Sequence, residues 1–143
     1  MKCITYKGGY KYQLKQDYTL DIPIKPRADL KPDHGFIILS RNGSLFIKNG
    51  YAWDGPSGPA LDTQNFMRGS LVHDALYQLM REGYLDHRIY REKADRLLQQ
   101  HCKEDGMISI RAWWVYQGVR FGGGLAADPD LNRPIRHAPK GCL

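Results

Sequence analysis

Between Trp53 and Gly58 the chain reads Trp-Asp-Gly-Pro-Ser-Gly, and the period of its hydrophobic pattern changes across that stretch. Upstream, apolar and polar residues alternate as half-buried strands require. Downstream, apolar residues recur every three to four positions as helices require. Gly55, Pro56, Gly58 and Pro59 exclude regular structure from about 54 to 60. The order of these patterns predicts an α+β fold: an N-terminal antiparallel β hairpin or sheet, then an antiparallel helix pair, then a third helix.

Before the loop, Tyr10–Leu14 and Tyr18–Ile22 alternate, while Pro23, Pro26 and Pro32 predict an irregular connection. Phe36–Arg41 and Ser44–Lys48 flank Asn42-Gly43, a dipeptide that accepts the positive φ angles of a two-residue hairpin turn. After the loop, Asp62 or Thr63 is placed to cap a helix that Gly83 stops. Its core stripe is expected from Met67, Leu71, Ala75 and Leu79, widened by Val72, Leu76 and Met80. A second helix is expected from Asp86 to Gly106, with Ile89, Tyr90, Ala94, Leu97, Leu98 and His101 inward. The short link makes the pair antiparallel. A third spans Ser109 to about Phe121, carries Trp113, Trp114 and Val119, and ends at Gly122-Gly123-Gly124. Adjacent in sequence, Trp113 and Trp114 cannot both point fully into the core.

At 143 residues the chain suits one domain, assigned to 1–124, with an extended basic C-terminal tail over 125–143. No run approaches the roughly 18 apolar residues of a membrane span, and the first residues lack the apolar core of a signal peptide. Cys3, Cys102 and Cys142 lie too far apart for a paired zinc motif or a disulfide framework. His34, His87, His101 and His137 have no ligand spacing. The net charge of +6 collects partly at Arg133, Arg136 and Lys140, without the motif or aromatic–basic interleaving that nucleic-acid recognition requires.

The chemistry concentrates around the loop and the first helix. His73 and Tyr77 are four residues apart and share a helix face, with Asp74 about 100° round. An imidazole serves as a general base when a carboxylate fixes its tautomer, and Asp95 on the facing helix is the best-placed carboxylate. Tyr77 can then hold Asp95 by a hydrogen bond. Asp74, turned towards the loop, suits a hard cation completed by loop carbonyls and water. Asp54 is a further candidate ligand, and Ser57 a candidate nucleophile; both equally serve to bond the loop's own amides. The same His–Asp–Tyr set also suits a satisfied polar fastening between helices, and Arg91, four residues before Asp95, suits a surface ion pair with it.

Four ordered blocks carry a resemblance: Gly50-Tyr51-Ala52-Trp53-Asp54-Gly55-Pro56-Ser57, Val72-His73-Asp74-Ala75-Leu76-Tyr77, Lys93-Ala94-Asp95-Arg96 and Tyr116-Gln117-Gly118-Val119-Arg120-Phe121-Gly122. Over residues 36 to 122 they resemble a domain family of unknown function found mainly in bacteriophages and prophages. That resemblance implies a phage-encoded protein, in the host cytoplasm or the virion, with a phage or host protein as partner. The narrower pattern Gly55-Pro56, His73-Asp74-x-x-Tyr77 and Asp95 resembles the calcium-dependent phospholipase A₂ superfamily. This second resemblance implies a lipid or ester substrate and His73 as base for a water. It makes Asp95 the orienting carboxylate supported by Tyr77, with calcium held by Asp74 and by carbonyls near Trp53, Gly55 and Ser57. Trp53-Asp54 and the β-rich first third depart from that superfamily's pattern.

Overall fold

Among the described residues, seven short strands and three helices form, with six strands ahead of the helices as expected and one strand after them. They are β1 (Ile4–Tyr6), β2 (Tyr12–Gln13), β3 (Tyr18–Asp21), β4 (Ile37–Leu39), β5 (Ser44–Ile47) and β6 (Ala52–Trp53), then α1 (Gln64–Arg81), α2 (His87–Glu104), α3 (Ser109–Gly122) and β7 (Arg136–Ala138). The computed structural model describes residues 4–6, 12–53, 64–123, 127–129 and 136–138. Asp54, Gly55 and Ser57 of the loop, and the candidate caps Asp62 and Thr63, lie outside the described residues.

The strands make antiparallel sheets: β3-β5-β4 and the pairs β2–β6 and β1–β7. β5 is central, and two of its three apolar residues face inward with those of β4. Leu45 pairs with Leu39 and Ile47 with Ile37, and all four are fully buried. The hairpin between β4 and β5 differs from expectation in its turn. Gly43 N–H bonds the Ser40 carbonyl (3.0 Å), and Ser40 and Ser44 remain paired. Three residues therefore span the turn rather than two. Gly43 takes the left-handed conformation (φ +89°), and a Cβ there would overlap the Ile22 carbonyl.

Glycine stops the helices where the sequence places them. Gly83 (φ +86°) bonds back to Met80 while Tyr84 bonds to Leu79, which satisfies the carbonyls left open at the end of α1. Gly106 and Met107 close α2 in the same way onto Lys103 and Cys102. At the other end of α2, the Asp86 carboxylate caps Arg88 N–H. α1 is buried on most of its circumference because it lies between the β portion and α2. Consequently Phe66, Gly69 and Ser70 are buried, whereas the expected stripe residue Met67 is only half-buried. A Cβ on Gly69 would stand 3.0 Å from Leu98, so this glycine sets the closeness of α1 and α2.

The main core joins Ile22, Ile24 and the β3-β5-β4 sheet to Leu71, Leu76, Leu79 and Leu97 of the helix pair. A smaller core joins Phe66 of α1, Leu98 and Cys102 of α2, and Met107, Ala112 and Val115 around α3. A further expectation about inward residues is corrected, that for Ile89. Ile89 lies on the solvent side of α2, and Trp113 and Trp114 are both exposed. The core stripe of α3 is Ala112 and Val115, supplemented by Val119, so neither tryptophan is needed inside.

Candidate functional site

Strand β6 delivers the chain to α1 through Trp53. The buried Trp53 indole donates from Nε1 to Ser70 Oγ (3.1 Å), which in turn donates to the Met67 carbonyl. Tyr12 and Tyr51 flank the indole ring. Strand β6 thus ends beside α1, one turn before His73.

His73, Tyr77 and Asp95 meet between α1 and α2. His73 Nε2 lies 2.7 Å from Asp95 Oδ1, and the Tyr77 hydroxyl donates to that same oxygen at 2.6 Å. The Tyr77 and His73 rings lie 4.1 Å apart. Asp95 is 0 % exposed and His73 7 %. An ionised carboxylate only accepts, so the proton of a neutral His73 sits on Nε2 and the lone pair on Nδ1. Nδ1 faces Asp74 Oδ1 at 3.8 Å, too long for a direct hydrogen bond and close enough for strong charge interaction. The Asp74 side chain is partly exposed.

Two arginines complete the cluster. Arg120 of α3 donates to Asp95 Oδ2 at 3.0 Å, so both oxygens of the buried carboxylate are occupied. Arg91 does not form the ion pair with Asp95 that its spacing suggested. Its guanidinium turns to the end of α3, donating to the Val119 and Arg120 carbonyls (2.9 and 2.6 Å) and to the Tyr77 hydroxyl (3.3 Å). There a cation meets the negative end of the helix dipole. Gly123 continues this seam: a Cβ would stand 2.6 Å from the Val119 carbonyl and 3.0 Å from the Tyr77 ring. Arg120, Gly123 and the contacts of Arg91 with α3 escape sequence reasoning because the partners are remote in the chain. The only local signal is a basic residue in the last turn of α3.

The electrostatics follow from this packing. Burial disfavours the His73 imidazolium, but Asp74 and Asp95 outweigh it and hold the group above its ordinary 6.5. Burial likewise opposes ionisation of Asp95. The donors His73, Tyr77 and Arg120 overcome it and keep the carboxyl below 3.8. Burial and Asp95 push the Tyr77 phenol well up, so it stays a neutral donor.

Of the residues expected at the site, His73, Tyr77 and Asp95 are brought into direct contact, Asp74 flanks them, and the Trp53 side chain anchors the adjoining strand. Among the described residues no group of three or more His, Cys, Asp or Glu is arranged to hold a metal ion. No described helix is long and apolar enough to cross a membrane.

Fold and site define an α+β protein in which a buried histidine–carboxylate–tyrosine cluster joins three helices. Residues 36–119 match the family described as Protein of unknown function (DUF1353), and the chain belongs to that family. Comparison with curated proteins and with solved structures found no match.

Proposed function

We propose that the chain is a small phage-encoded hydrolase of esters, of the phospholipid type, acting in the host cytoplasm or from the virion. The observation that carries this reading is the orientation of His73: Nε2 is committed to Asp95, and Nδ1 faces the partly exposed Asp74. In this reading Nδ1 takes a proton from a water as that water attacks the ester carbonyl, and His73 returns it to the leaving oxygen. Asp95 orients the ring and stabilises the imidazolium, while Tyr77 and Arg120 hold Asp95 in place. The Asp74 carboxylate suits a hard cation in its chemistry. With carbonyl oxygens near Trp53, Gly55 and Ser57, and with Asp54 as a further candidate, it would hold calcium. The chemistry that calcium would supply there is polarisation of the ester carbonyl.

The test is release of fatty acid from phospholipid vesicles, and of alcohol from a simple ester, with calcium and with chelator. The parent protein is expected to be calcium-dependent. His73→Asn should lose about 10²- to 10⁴-fold in rate, the usual worth of a positioned general base. Asp74→Asn should raise the calcium requirement. A parent protein inert on both substrates with calcium present, or His73→Asn at the parental rate, rejects the reading. The second reading is a non-catalytic phage accessory or virion protein working through protein contacts. The complete burial of Asp95 favours it, because a carboxylate shared by three helices also serves as a structural tie.

A further inference from the structure

The His73 ring is held the way a metal-ligating imidazole is held. Such a ring binds the ion through the lone pair of one nitrogen. The other nitrogen donates its proton to a carboxylate or carbonyl, which fixes the tautomer and the rotation of the ring. His73 Nε2 donates to the buried Asp95 Oδ1 at 2.7 Å, and Asp95 is itself fixed by Tyr77 at that oxygen and by Arg120 at the other. The lone pair left on Nδ1 faces Asp74 Oδ1, 3.8 Å away. The Asp74 side chain is 28 % exposed, so the space between the two donors borders solvent.

We propose that His73 Nδ1 and Asp74 form a chelating pair for a divalent transition ion of the zinc and cobalt class. The first argument is distance. A tetrahedral ion with nitrogen and oxygen ligands spans about 3.3 Å between two donors. Closing the 3.8 Å gap to that span takes a movement of about half an ångström, which the partly exposed Asp74 carboxylate makes by turning about its own bonds. The second argument is charge. Two carboxylates flank the ring, and Arg120 pairs with Asp95. Among the described residues Asp74 forms no ion pair beyond its approach to His73, so a cation placed there meets an uncompensated carboxylate. The third is donor type. Calcium takes oxygen ligands, whereas an imidazole nitrogen beside a carboxylate suits the first-row transition ions.

Two protein donors leave the ion's other positions to water, so the site is open rather than a closed structural one. The other histidine buried between α1 and α2 offers nothing similar. His101 Nδ1 is sealed, and the Arg68 guanidinium repels a cation beside it. An ion on His73 Nδ1 holds the lone pair that the ester-hydrolase reading gives to a water. On that reading, cobalt or zinc blocks the base and calcium does not. The site itself stands on the bonding of the ring, whether or not His73 acts on an ester.

The experiment is titration of the full chain, without an affinity tag, with Co²⁺ at fixed pH, followed by the visible absorption of the ion and by NMR. Saturable binding is expected, with the signals of His73, Asp74 and Tyr77 perturbed before any others. His73→Asn and Asp74→Asn should each weaken binding at least about tenfold. Asp95→Asn should weaken it about 10- to 100-fold, the usual cost of losing the carboxylate behind a ligating imidazole. Calcium in excess should leave the cobalt in place. An unperturbed His73 in the parent protein, parental affinity in a folded Asp74→Asn or Asp95→Asn, or displacement of cobalt by calcium each overturns the proposal. Failure here and failure of the hydrolytic reading are distinct. A parent protein that binds cobalt at His73 and releases no fatty acid keeps the site and rejects hydrolysis. A calcium-dependent hydrolase that cobalt leaves untouched keeps hydrolysis and rejects the site.

Discussion

His73 and His101 are both buried on the facing surfaces of α1 and α2, and their surroundings drive them in opposite directions. His73 stands between two carboxylates, which raise it above 6.5 in spite of burial. His101 has burial working against its charge and the Arg68 guanidinium adding to that effect, so it falls below 6.5. Its Nδ1 is buried without a hydrogen-bond partner among the described residues. The neighbouring Cys102 thiol is pushed up to about 11 by burial and the Asp105 charge. One end of the helix pair therefore keeps an imidazole whose charged form its two carboxylates favour. The other keeps a neutral ring as packing. Burial alone produces the second state; fixed carboxylates are needed for the first.

The largest effect expected of this difference is at Asp95. Asp95→Ala leaves Arg120, Tyr77 and His73 without their shared acceptor, and should cost about 3–5 kcal/mol in a denaturant melt. A loss below about 1 kcal/mol would mean the cluster is not the tie that its geometry implies. Gly123→Ala should cost about 1–3 kcal/mol, since the new methyl displaces Tyr77 or the end of α3. The same melt would expose an error if that variant matched the parent protein. At the other histidine, His101→Phe should cost less than about 1.5 kcal/mol, because no Nδ1 hydrogen bond is lost. If it cost as much as Asp95→Ala, the comparison would fail.

The smallest effect is in titration, and it tests the comparison most directly. Imidazole signals followed by NMR should show His73 titrating above 6.5 and His101 below it. The reverse order would break the comparison. The signs for stability follow. The raised His73 value stabilises the fold below pH 6.5, and that contribution disappears as pH rises through the folded value. The lowered Asp95 value contributes above pH 3.8, and that is lost as pH falls through the folded value. His101 destabilises the fold as pH falls below 6.5, because the unfolded chain takes the proton first. His73 and Asp95 titrate as a coupled pair, so Asp95→Ala should also move the His73 curve downward.

Much of this arrangement is legible in the chain. The hairpin at Asn42-Gly43, the stops at Gly83 and Gly106, and the sharing of one face by His73 and Tyr77 are matters of a few consecutive residues. Asp95 follows from the short link that folds α2 back on α1. The turn's third residue depends on Ser40 and on the close approach of Ile22, and a dipeptide signal contains neither. That both Trp113 and Trp114 stay outside is not fixed locally, for a related reason. Hydrophobicity predicts burial, but Ala112 and Val115 already fill the seam between α3 and α2.

The residues alone determine that strands precede the three helices, the places where each helix stops, and the faces on which His73, Asp74 and Tyr77 stand, because periodicity, caps and turns act over a few residues; the pairing of β7 with β1 is not among them. Only the tertiary structure decided that Asp95 shares its two oxygens among His73, Tyr77 and Arg120, groups twenty-two, eighteen and twenty-five residues away. It also turned Arg91 to the end of α3 and left two tryptophans and Phe121 facing outward. These pairings depend on how closely the helices approach and at what rotation, and that is set by packing at Gly69, Leu98 and Gly123 rather than by any local pattern.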